Sequence, residues 1–253
     1  AVQPLAKKDS VLQIAVFSTS KKYSSANDLS FRTTAKNENE TKVLAEFIKQ
    51  KNYLQTGIIF LNNDFGINFK EALKQSLAEN KSKTEIKEES FSLETTDFRT
   101  ILLKLEKSDA LFLIGTAKHY ALILKQAKEL GTKTQFLTMY SAQDPELIEL
   151  AENNTENLIF TYPFNPEKNQ EAVDFSKTFK AKFNKEPDAY AAESFDALNI
   201  IVRALEKCGA KLNAQQKNCL KSYFKELTYN SAFGKLTFDA NGDVQYNYFL
   251  KTI

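Results

Sequence analysis

The chain alternates short apolar runs with longer segments in which apolar residues recur every three or four positions. Residues 11–17, VLQIAVF, are almost continuously apolar, which is typical of a strand buried on both faces of a parallel sheet. Further runs predict strands at 57–61, 84–91, 110–114, 135–139 and 158–164, and the alternation over 84–91 indicates an edge strand. Because helical segments separate these strands, the order predicts a doubly wound α/β fold with parallel pairing.

The second half of the chain predicts three long helices and a closing hairpin. Helical periodicity covers residues 169–184, 189–208 and 214–227. The hairpin is predicted to pair 235–239 with 244–253, because the intervening Asn241-Gly242 is a strong turn signal. The three helices need a sheet to cover, and the strand at 11–17 cannot supply one alone. We therefore expect that the sheet covered by these helices has further strands, and that those strands precede Ala1.

Three consecutive hydroxyl residues, Ser18, Thr19 and Ser20, follow the first predicted strand directly. In open α/β sheets, ligands bind beyond the carboxyl ends of the strands. Hydroxyls at such a point can donate to a carboxylate or another small polar group. Serine and threonine also favour ordinary capped turns, so this segment alone leaves ligand binding and turn capping open.

Charge and hydropathy narrow the classes of partner. The 253 residues carry 34 basic and 32 acidic side chains, mixed along the chain, and the arginines are Arg32, Arg99 and Arg203. The sequence contains no strongly basic patch, so a nucleic-acid partner is not expected. No apolar run approaches the roughly 18 residues that a membrane span requires.

The motifs of common enzyme sites are absent from the sequence. The closest pair of glycines, Gly234 and Gly242, is eight positions apart, which excludes the dinucleotide-binding loop, the phosphate loop and the nucleophile elbow. His119 is the single histidine, so a metal cluster is not expected, and we predict a solvated surface position for this side chain. We therefore predict a protein that is not an enzyme and needs neither cofactor nor metal.

Two cysteines, Cys208 and Cys219, stand close together in the sequence without a histidine nearby, which makes a poor metal site. Two free thiols and a disulfide are both compatible with this spacing. We favour a disulfide, which would indicate an oxidising compartment.

Six segments, taken in order, resemble those of the type I periplasmic solute-binding proteins, the leucine/isoleucine/valine-binding family of ABC importers. They are FSTSKKYSSANDLSFRT, GIIFLNNDFGINFKEALK, TTDFRTILLKLEKSDALFLIG, KQAKELGTKTQFL, AYAAESFDALNIIVRALEKCG and FGKLTFDANGD. Each segment is a weak signal, whereas six in the family's order across nearly the whole chain form a specific one.

The resemblance implies a two-lobed α/β fold in which doubly wound parallel sheets are joined by a hinge. The lobes are predicted at 1–34 with 165–229 and at 35–164 with 230–253, and the first is expected to be incomplete because family members carry a further N-terminal βαβα stretch. The implied function is hinged closure over a small polar solute, an amino acid or related carboxylate, in the cleft between the lobes. The implied partner is the membrane permease of an ABC importer, and the implied location is the bacterial periplasm. The alternative is a ligand-sensing or scaffold domain of the same fold that regulates a partner protein.

The resemblance also implies which residues of the first lobe contact the solute. Ser18 and Thr19 fall where the family contacts the α-carboxylate and ammonium of its ligand, and Phe17 and Ser20 flank them. These four residues are the predicted half of the ligand site on this lobe.

The other predicted contacts follow three later strands. Phe65 falls where the family often has a tyrosine over the ligand, and Thr116 and Ala117 fall at a turn where aromatic residues are common. Tyr140 falls where the branched-chain amino-acid binders have a glutamate that pairs with the ammonium. A buried ammonium needs a compensating charge, which Glu193 or a segment outside this chain would supply. Core packing is the alternative role for the aromatic residues.

Overall fold

The computed structural model describes residues 2–20, 23, 25, 28–143, 145–151, 154–155, 158–211 and 213–252. Its helices are α1 Gln3–Asp9, α2 Asn37–Gln50, α3 Asp64–Glu79, α4 Arg99–Lys104, α5 Ala117–Glu129, α6 Pro145–Ala151, α7 Gln170–Phe183, α8 Ala189–Cys208 and α9 Ala214–Glu226. Its strands are β1 Gln13–Ala15, β2 Ser30–Arg32, β3 Gln55–Leu61, β4 Glu85–Phe91, β5 Ala110–Ile114, β6 Gln135–Thr138, β7 Leu158–Tyr162, β8 Tyr229–Ser231, β9 Gly234–Leu236 and β10 Phe249–Thr252.

The chain divides into two compact units. Unit 1 comprises Ala1–Asn39 and Pro163–Asn247, and unit 2 comprises Glu40–Tyr162 and Tyr248–Ile253. The sequence placed 230–247 in the second lobe, whereas the structure places this stretch in unit 1. The reason is packing, because Leu236, Phe238 and Val244 are buried in the same core cluster as Phe31 and Ile200.

Unit 2 is built on one sheet with the order β10-β7-β6-β5-β3-β4. Strands β3 to β7 pair in parallel, as their apolar runs predict, and β10 joins antiparallel to β7. The central strand β5 is buried at every position, while β4 lies at the edge and exposes most of its polar side chains. The prediction of a doubly wound unit with an edge strand at 84–91 is confirmed here.

The strand order of unit 2 creates a switch point. The chain passes from β3 to β4 on one side and then returns to β5 on the other side of β3. Connections leave β3 and β5 in opposite directions, and a crevice forms beyond the carboxyl ends of the strands at such a point. The turns after β3 and β5 therefore occupy the position where doubly wound sheets bind ligands.

The first predicted strand is shorter and less buried than its sequence suggests. β1 covers only residues 13–15, each half-buried, and the side chain of Phe17 is 54% exposed. β1 also has a parallel partner, β2, at residues 30–32, where the sequence analysis predicts no strand. The apolar pattern gave no sign of β2, because two of its three residues are polar. Arg32 is nevertheless fully buried, since an ion pair with Asp243 compensates its charge.

The predicted closing hairpin is wrong. β9 pairs with β8 in a short antiparallel hairpin, and β10 pairs with β7 of unit 2. The turn at Asn241-Gly242 does form, closed by the Asp239 N–H on the Asp243 carbonyl at 2.9 Å, and Gly242 has a φ of +82°. Beyond the turn, Val244 enters the core of unit 1 instead of pairing along β9.

The three long helices of unit 1 each begin at a side-chain cap. Asn169, Asp188 and Asn213 each accept, through the side chain, a backbone N–H from the first turn of α7, α8 and α9, at 2.7 to 2.8 Å. Such caps satisfy donors that the helix leaves without an internal partner. No helix among the described residues combines the length and apolar character needed to cross a membrane.

Helix α8 is apolar on two sides. One stripe lies in the core of unit 1, and a second stripe is exposed, formed by Phe195, Leu198, Val202 and Leu205. A helix that is apolar around most of its circumference is typical of a helix covered on two sides. The expectation of further strands in this lobe stays a prediction.

A disulfide joins Cys208 at the end of α8 to Cys219 on α9, with the Cα atoms 5.6 Å apart. The preferred pairing is thereby confirmed, and it fixes the loop between two helices of unit 1. Disulfides persist mainly in proteins of oxidising compartments.

Replacing both cysteines by serine should lower the free energy of unfolding by about 2–3 kcal/mol, because the unfolded chain then loses a short-loop constraint. Denaturant unfolding at neutral pH measures the difference. Dithiothreitol should reduce the stability of the wild-type protein to a similar extent and leave the double-serine variant unchanged. Equal stability of the two proteins without reductant would contradict the expectation.

Candidate ligand-binding site

The hydroxyl turn of unit 1, Ser18-Thr19-Ser20, has all three of its backbone carbonyls bound by hydrogen-bond donors of the same unit. The Arg32 side chain donates from Nη1 to the Ser18 carbonyl at 2.8 Å and from Nη2 to the Ser20 carbonyl at 3.0 Å. The Asn37 N–H donates to the Thr19 carbonyl at 3.3 Å. Among the described residues, the hydroxyls of Ser18 and Thr19 make no hydrogen bond, so the turn has donors to offer a ligand.

Arg32 is the residue of this site that sequence reasoning missed. Its Nε lies 2.6 Å from Asp243 Oδ1, and its guanidinium lies 5.2 Å from the centre of the Tyr23 ring. Burial lowers the pKa of Arg32, and Asp243 opposes that shift. The signal in the sequence was the use of arginine in a chain whose basic residues are otherwise nearly all lysine, because arginine alone offers a planar fork of donors.

Glu193 lies in the first turns of α8 and is fully buried. Its Oε1 accepts a short hydrogen bond from the Tyr246 hydroxyl, which in turn accepts the Ala35 N–H at 3.1 Å. Thr33, directly after β2, donates to the Glu193 carbonyl at 3.3 Å. The structure therefore ties the predicted charged residue to the strand that carries Arg32.

Phe17 contacts the same end of α8. Its ring meets the Tyr190 ring edge-to-face with centroids 5.1 Å apart, and Tyr190 is the second residue of the helix. Phe17, the hydroxyl turn and Glu193 are thus brought together at one end of unit 1, where β1 ends and α8 begins. Their contact with a solute stays a prediction.

The predicted residues of unit 2 follow adjacent strands of its sheet. Phe65 comes after β3, Thr116 and Ala117 come after β5, and Tyr140 comes after β6. Phe65 is 40% exposed and Thr116 is exposed, whereas Ala117 and Tyr140 are buried. The first two present side chains at the carboxyl edge of the sheet, while the other two contribute to its interior.

The turn after β3 is fixed by a cap and a close backbone approach. The Asn63 side chain accepts the Gly66 N–H at 2.9 Å and begins α3. A Cβ at Gly66 would lie 2.0 Å from the Leu61 carbonyl oxygen. Only glycine fits there, and its closeness to β3 sets the position of Phe65.

The turn after β5 is held by two buried aromatic side chains. The Tyr120 hydroxyl accepts the Gly115 N–H at 3.0 Å and donates to the Gly115 carbonyl at 2.9 Å. His119 accepts the Thr116 N–H at 3.3 Å through Nδ1 and contacts the Leu93 carbonyl at 3.1 Å through Nε2. The predicted solvated histidine is therefore wrong. Its ring is 3% exposed because it completes the capping box of α5.

A buried carboxyl group holds the turn after β6. Glu40 of α2 accepts the Tyr140 N–H at 2.9 Å, and the Thr161 hydroxyl donates a short hydrogen bond to the same oxygen. Burial raises the pKa of Glu40 to about 7, although both hydrogen bonds oppose this shift. A carboxyl group thus lies beside Tyr140 but bonds its backbone. The polar stretch NENET gave no sign of this burial.

Metal-ligand clusters of three or more histidine, cysteine, aspartate or glutamate side chains do not occur in the described part of the chain. At these turns, unit 1 has hydroxyl donors, and unit 2 has an exposed aromatic and an exposed threonine side chain. Such groups bind small polar molecules by hydrogen bonding and contact.

Two α/β units, with a mostly parallel sheet and polar turns at its strand ends, are what the resemblance to the type I periplasmic binding proteins implies. The family model described as "Periplasmic binding protein" matches residues 1–250. The chain therefore belongs to the periplasmic binding protein family, which confirms the resemblance found in its sequence.

Individual relatives agree with this assignment. A leucine-, isoleucine-, valine-, threonine- and alanine-binding protein of Pseudomonas aeruginosa is 26% identical over 152 residues, 59% of this chain and 39% of the relative. A leucine-binding protein from Thermotoga maritima aligns with 100% of this chain and 72% of its own at a TM-score of 0.89 and 23% identity. A solute-binding protein of an R. palustris ABC transporter, solved in complex with benzoate, aligns with 100% of this chain and 70% of its own at a TM-score of 0.86 and 15% identity. At these identities, the two structures show a shared fold.

The curated relatives are longer than this chain. It spans 39% of the Pseudomonas aeruginosa protein and 58% of a Leu/Ile/Val-binding protein from Citrobacter freundii, with which it shares 25% identity over 227 residues.

The buried carboxyl of Glu40 predicts a pH dependence of stability. Its pKa rises from the ordinary 4.5 to about 7 on folding, so the folded state binds this proton more tightly than the unfolded state. The free energy of unfolding should therefore fall as pH rises from about 4.5 to about 7, and this contribution should stay constant above that range. Asp196 of unit 1, with a pKa raised to about 7 by burial, adds a slope of the same sign.

Glu40→Gln should remove its share of this slope, because glutamine keeps the acceptor oxygen without a titrating proton. The loss of stability between pH 4.5 and 8 should shrink by about 3 kcal/mol, following from the size of the pKa change. Urea unfolding across this pH range measures it. Glu46→Gln, on an exposed position of the same helix, is the control and should leave the profile unchanged. An unaltered slope in Glu40→Gln would show that this group does not titrate as expected.

Proposed function

We propose that this chain is part of a solute-binding protein that binds a small polar solute and delivers it to the permease of an ABC importer. The proposed location is the periplasm. Family membership supports the binding role, and the Cys208–Cys219 disulfide agrees with an oxidising compartment. Binding and release without chemical change of the solute is the proposed activity.

The observation that carries this proposal is the arrangement of the hydroxyl turn. The carbonyl oxygens of Ser18, Thr19 and Ser20 all accept hydrogen bonds from within unit 1. The acceptors of the turn are therefore occupied, while the hydroxyls of Ser18 and Thr19 can donate. A turn that offers donors suits a carboxylate, because hydrogen bonds to a charged group are stronger than those between neutral groups.

The proposed solute class is an amino acid or a related carboxylate. The relatives include a binder of leucine, isoleucine, valine, threonine and alanine and a leucine-binding protein, and one structural neighbour holds benzoate. Leucine and benzoate share a carboxylate and an apolar body. On unit 2, the exposed Phe65 would contact the apolar body. The exposed Thr116, whose hydroxyl lies 2.9 Å from His119 Nδ1, would lie beside the solute.

Tyr140 provides no negative charge on unit 2 to pair with the ammonium group of a solute. The residue at this position therefore favours a solute that does not need such a charge. Tyr140 replaces the glutamate implied by the resemblance, and the neighbouring carboxyl of Glu40 is buried and bonds the turn's backbone. Glu193 is the proposed source of negative charge on unit 1 if the solute is an amino acid. An aromatic carboxylate would need no such charge.

A thermal-shift screen should identify the solute. Amino acids and aromatic carboxylates are added singly at about 1 mM, and a true ligand raises the melting temperature by several degrees through linkage. Ser18→Ala and Thr19→Ala should each weaken binding of that ligand about tenfold or more by titration calorimetry, because each removes a donor to a charged group. Thr178→Ala, at an exposed position of α7, is the matched control and should bind as the wild-type protein does.

Two outcomes would overturn the proposal. A ligand that binds Ser18→Ala and Thr19→Ala as tightly as wild type would place its carboxylate elsewhere. The absence of any response across the screen would favour the scaffold alternative, in which the fold regulates a partner protein.

A further inference from the structure

We propose that Arg32 is the positioning residue of the hydroxyl turn, and that Asp243 orients Arg32 for this task. The role in binding rests on the proposed function, since it concerns the turn that contains Ser18 and Thr19. The role in ordering the turn does not require that any solute be identified.

Each of the three nitrogens of the Arg32 guanidinium group contacts a different partner. Nη1 and Nη2 donate to the Ser18 and Ser20 carbonyls at 2.8 and 3.0 Å, and Nε pairs with Asp243 Oδ1 at 2.6 Å. These contacts fix two carbonyls on either side of Thr19 with one rigid planar group. A lysine ammonium is a compact charge on a flexible stem and cannot keep this fork geometry.

The direction of the carbonyls decides what the turn can bind. Because Ser18 and Ser20 present their carbonyl oxygens to Arg32, these acceptors are directed into unit 1. If Arg32 did not hold them, the peptide units could rotate and present carbonyl oxygens to a solute carboxylate, which they would repel. Arg32 therefore acts on solute binding through backbone orientation.

Asp243 is held in place by the turn in which it lies. The Asp239 side chain accepts the N–H groups of Asn241 and Asp243 at 2.8 and 3.0 Å. The Arg32 N–H donates to the Gly242 carbonyl at 3.0 Å, so β2 and this turn are joined by backbone as well as by charge. A Cβ at Gly242 would lie 2.5 Å from the Ser30 carbonyl oxygen, and the residue has positive φ. Glycine is therefore required for the close approach that brings Asp243 to Arg32.

Lys36 offers a matched comparison within the same cluster. Its ammonium lies 2.8 Å from Asp243 Oδ2 and 3.8 Å from Asp239 Oδ2, and its side chain is 23% exposed. It shares the carboxylate with Arg32 but has no hydrogen bond to the carbonyls of Ser18 or Ser20. Loss of Lys36 removes a charge from the cluster without releasing the turn.

The test compares Arg32→Lys with Lys36→Met in backbone ¹⁵N relaxation measurements. Arg32→Lys keeps a positive charge for Asp243 but should release the turn, so that the order parameters of Thr19 and Ser20 fall below about 0.6. Lys36→Met should leave them at the wild-type values. The double-serine variant of Cys208 and Cys219 controls for lost stability, since it destabilises unit 1 away from the turn and should also retain wild-type order.

Binding provides the second measurement, with L-leucine and sodium benzoate as probes. Whichever probe binds the wild-type protein should bind Arg32→Lys at least tenfold more weakly and Lys36→Met within twofold. If neither probe binds wild type, the relaxation result still decides the positioning role, and only the proposed function fails. Wild-type order at Thr19 and Ser20 in Arg32→Lys would overturn the inference.

Asp243→Asn supplies a further variant in case Arg32→Lys does not fold. Asparagine keeps an acceptor for Nε but removes the charge that orients the guanidinium. It should lower the order of the turn less than Arg32→Lys does, and raise the dissociation constant of the bound probe severalfold. An Asp243→Asn variant with wild-type order and affinity would show that Asp243 does not orient Arg32.

Discussion

Unit 1 depends on the buried ion pair between Arg32 and Asp243. Both side chains are almost completely removed from solvent, and removing charges from water costs several kcal/mol per ion. The pair is stable because two backbone carbonyls accept hydrogen bonds from the guanidinium, and the part-exposed Lys36 lies beside the carboxylate. Loss of Asp243 would leave the buried charge of Arg32 uncompensated, which typically costs about 3–5 kcal/mol. The same contacts order the hydroxyl turn, so stability and site geometry have one origin.

Unit 2 uses the same principle with uncharged or weakly acidic groups. Tyr120 bonds both backbone groups of Gly115 after β5, and Glu40 bonds the Tyr140 N–H after β6. In each case a buried polar side chain satisfies the backbone of a turn from the interior. Buried polar groups are costly unless hydrogen-bonded, and a fully bonded network specifies one conformation. The loops at the strand ends can therefore be irregular in sequence and still have a defined structure.

The sequence predicted the parts of the fold that rest on long apolar periodicity. The strands of the unit 2 sheet and the helices α7 to α9 have runs long enough to be unambiguous. The features that the sequence analysis missed or predicted wrongly share one cause, because each depends on contact with a residue distant in sequence. Arg32 of β2 is buried because it pairs with Asp243, and His119 is buried where its ring contacts the Leu93 carbonyl. β10 joins β7 instead of its neighbour in sequence. The predicted ligand-site residues follow from the resemblance, whereas the groups that hold them are contacts that only the folded chain makes.

The contact between β2 and the turn at 239–243 has a consequence for the order of events during synthesis. Arg32 leaves the ribosome long before Asp243, so this ion pair cannot form until most of the chain has been made. Unit 2 faces the same delay, because β10 joins β7 only after residues 249–252 have emerged. Contacts between distant segments close long loops and slow folding. Neither unit can therefore complete these contacts before residues 243–252 have been synthesised.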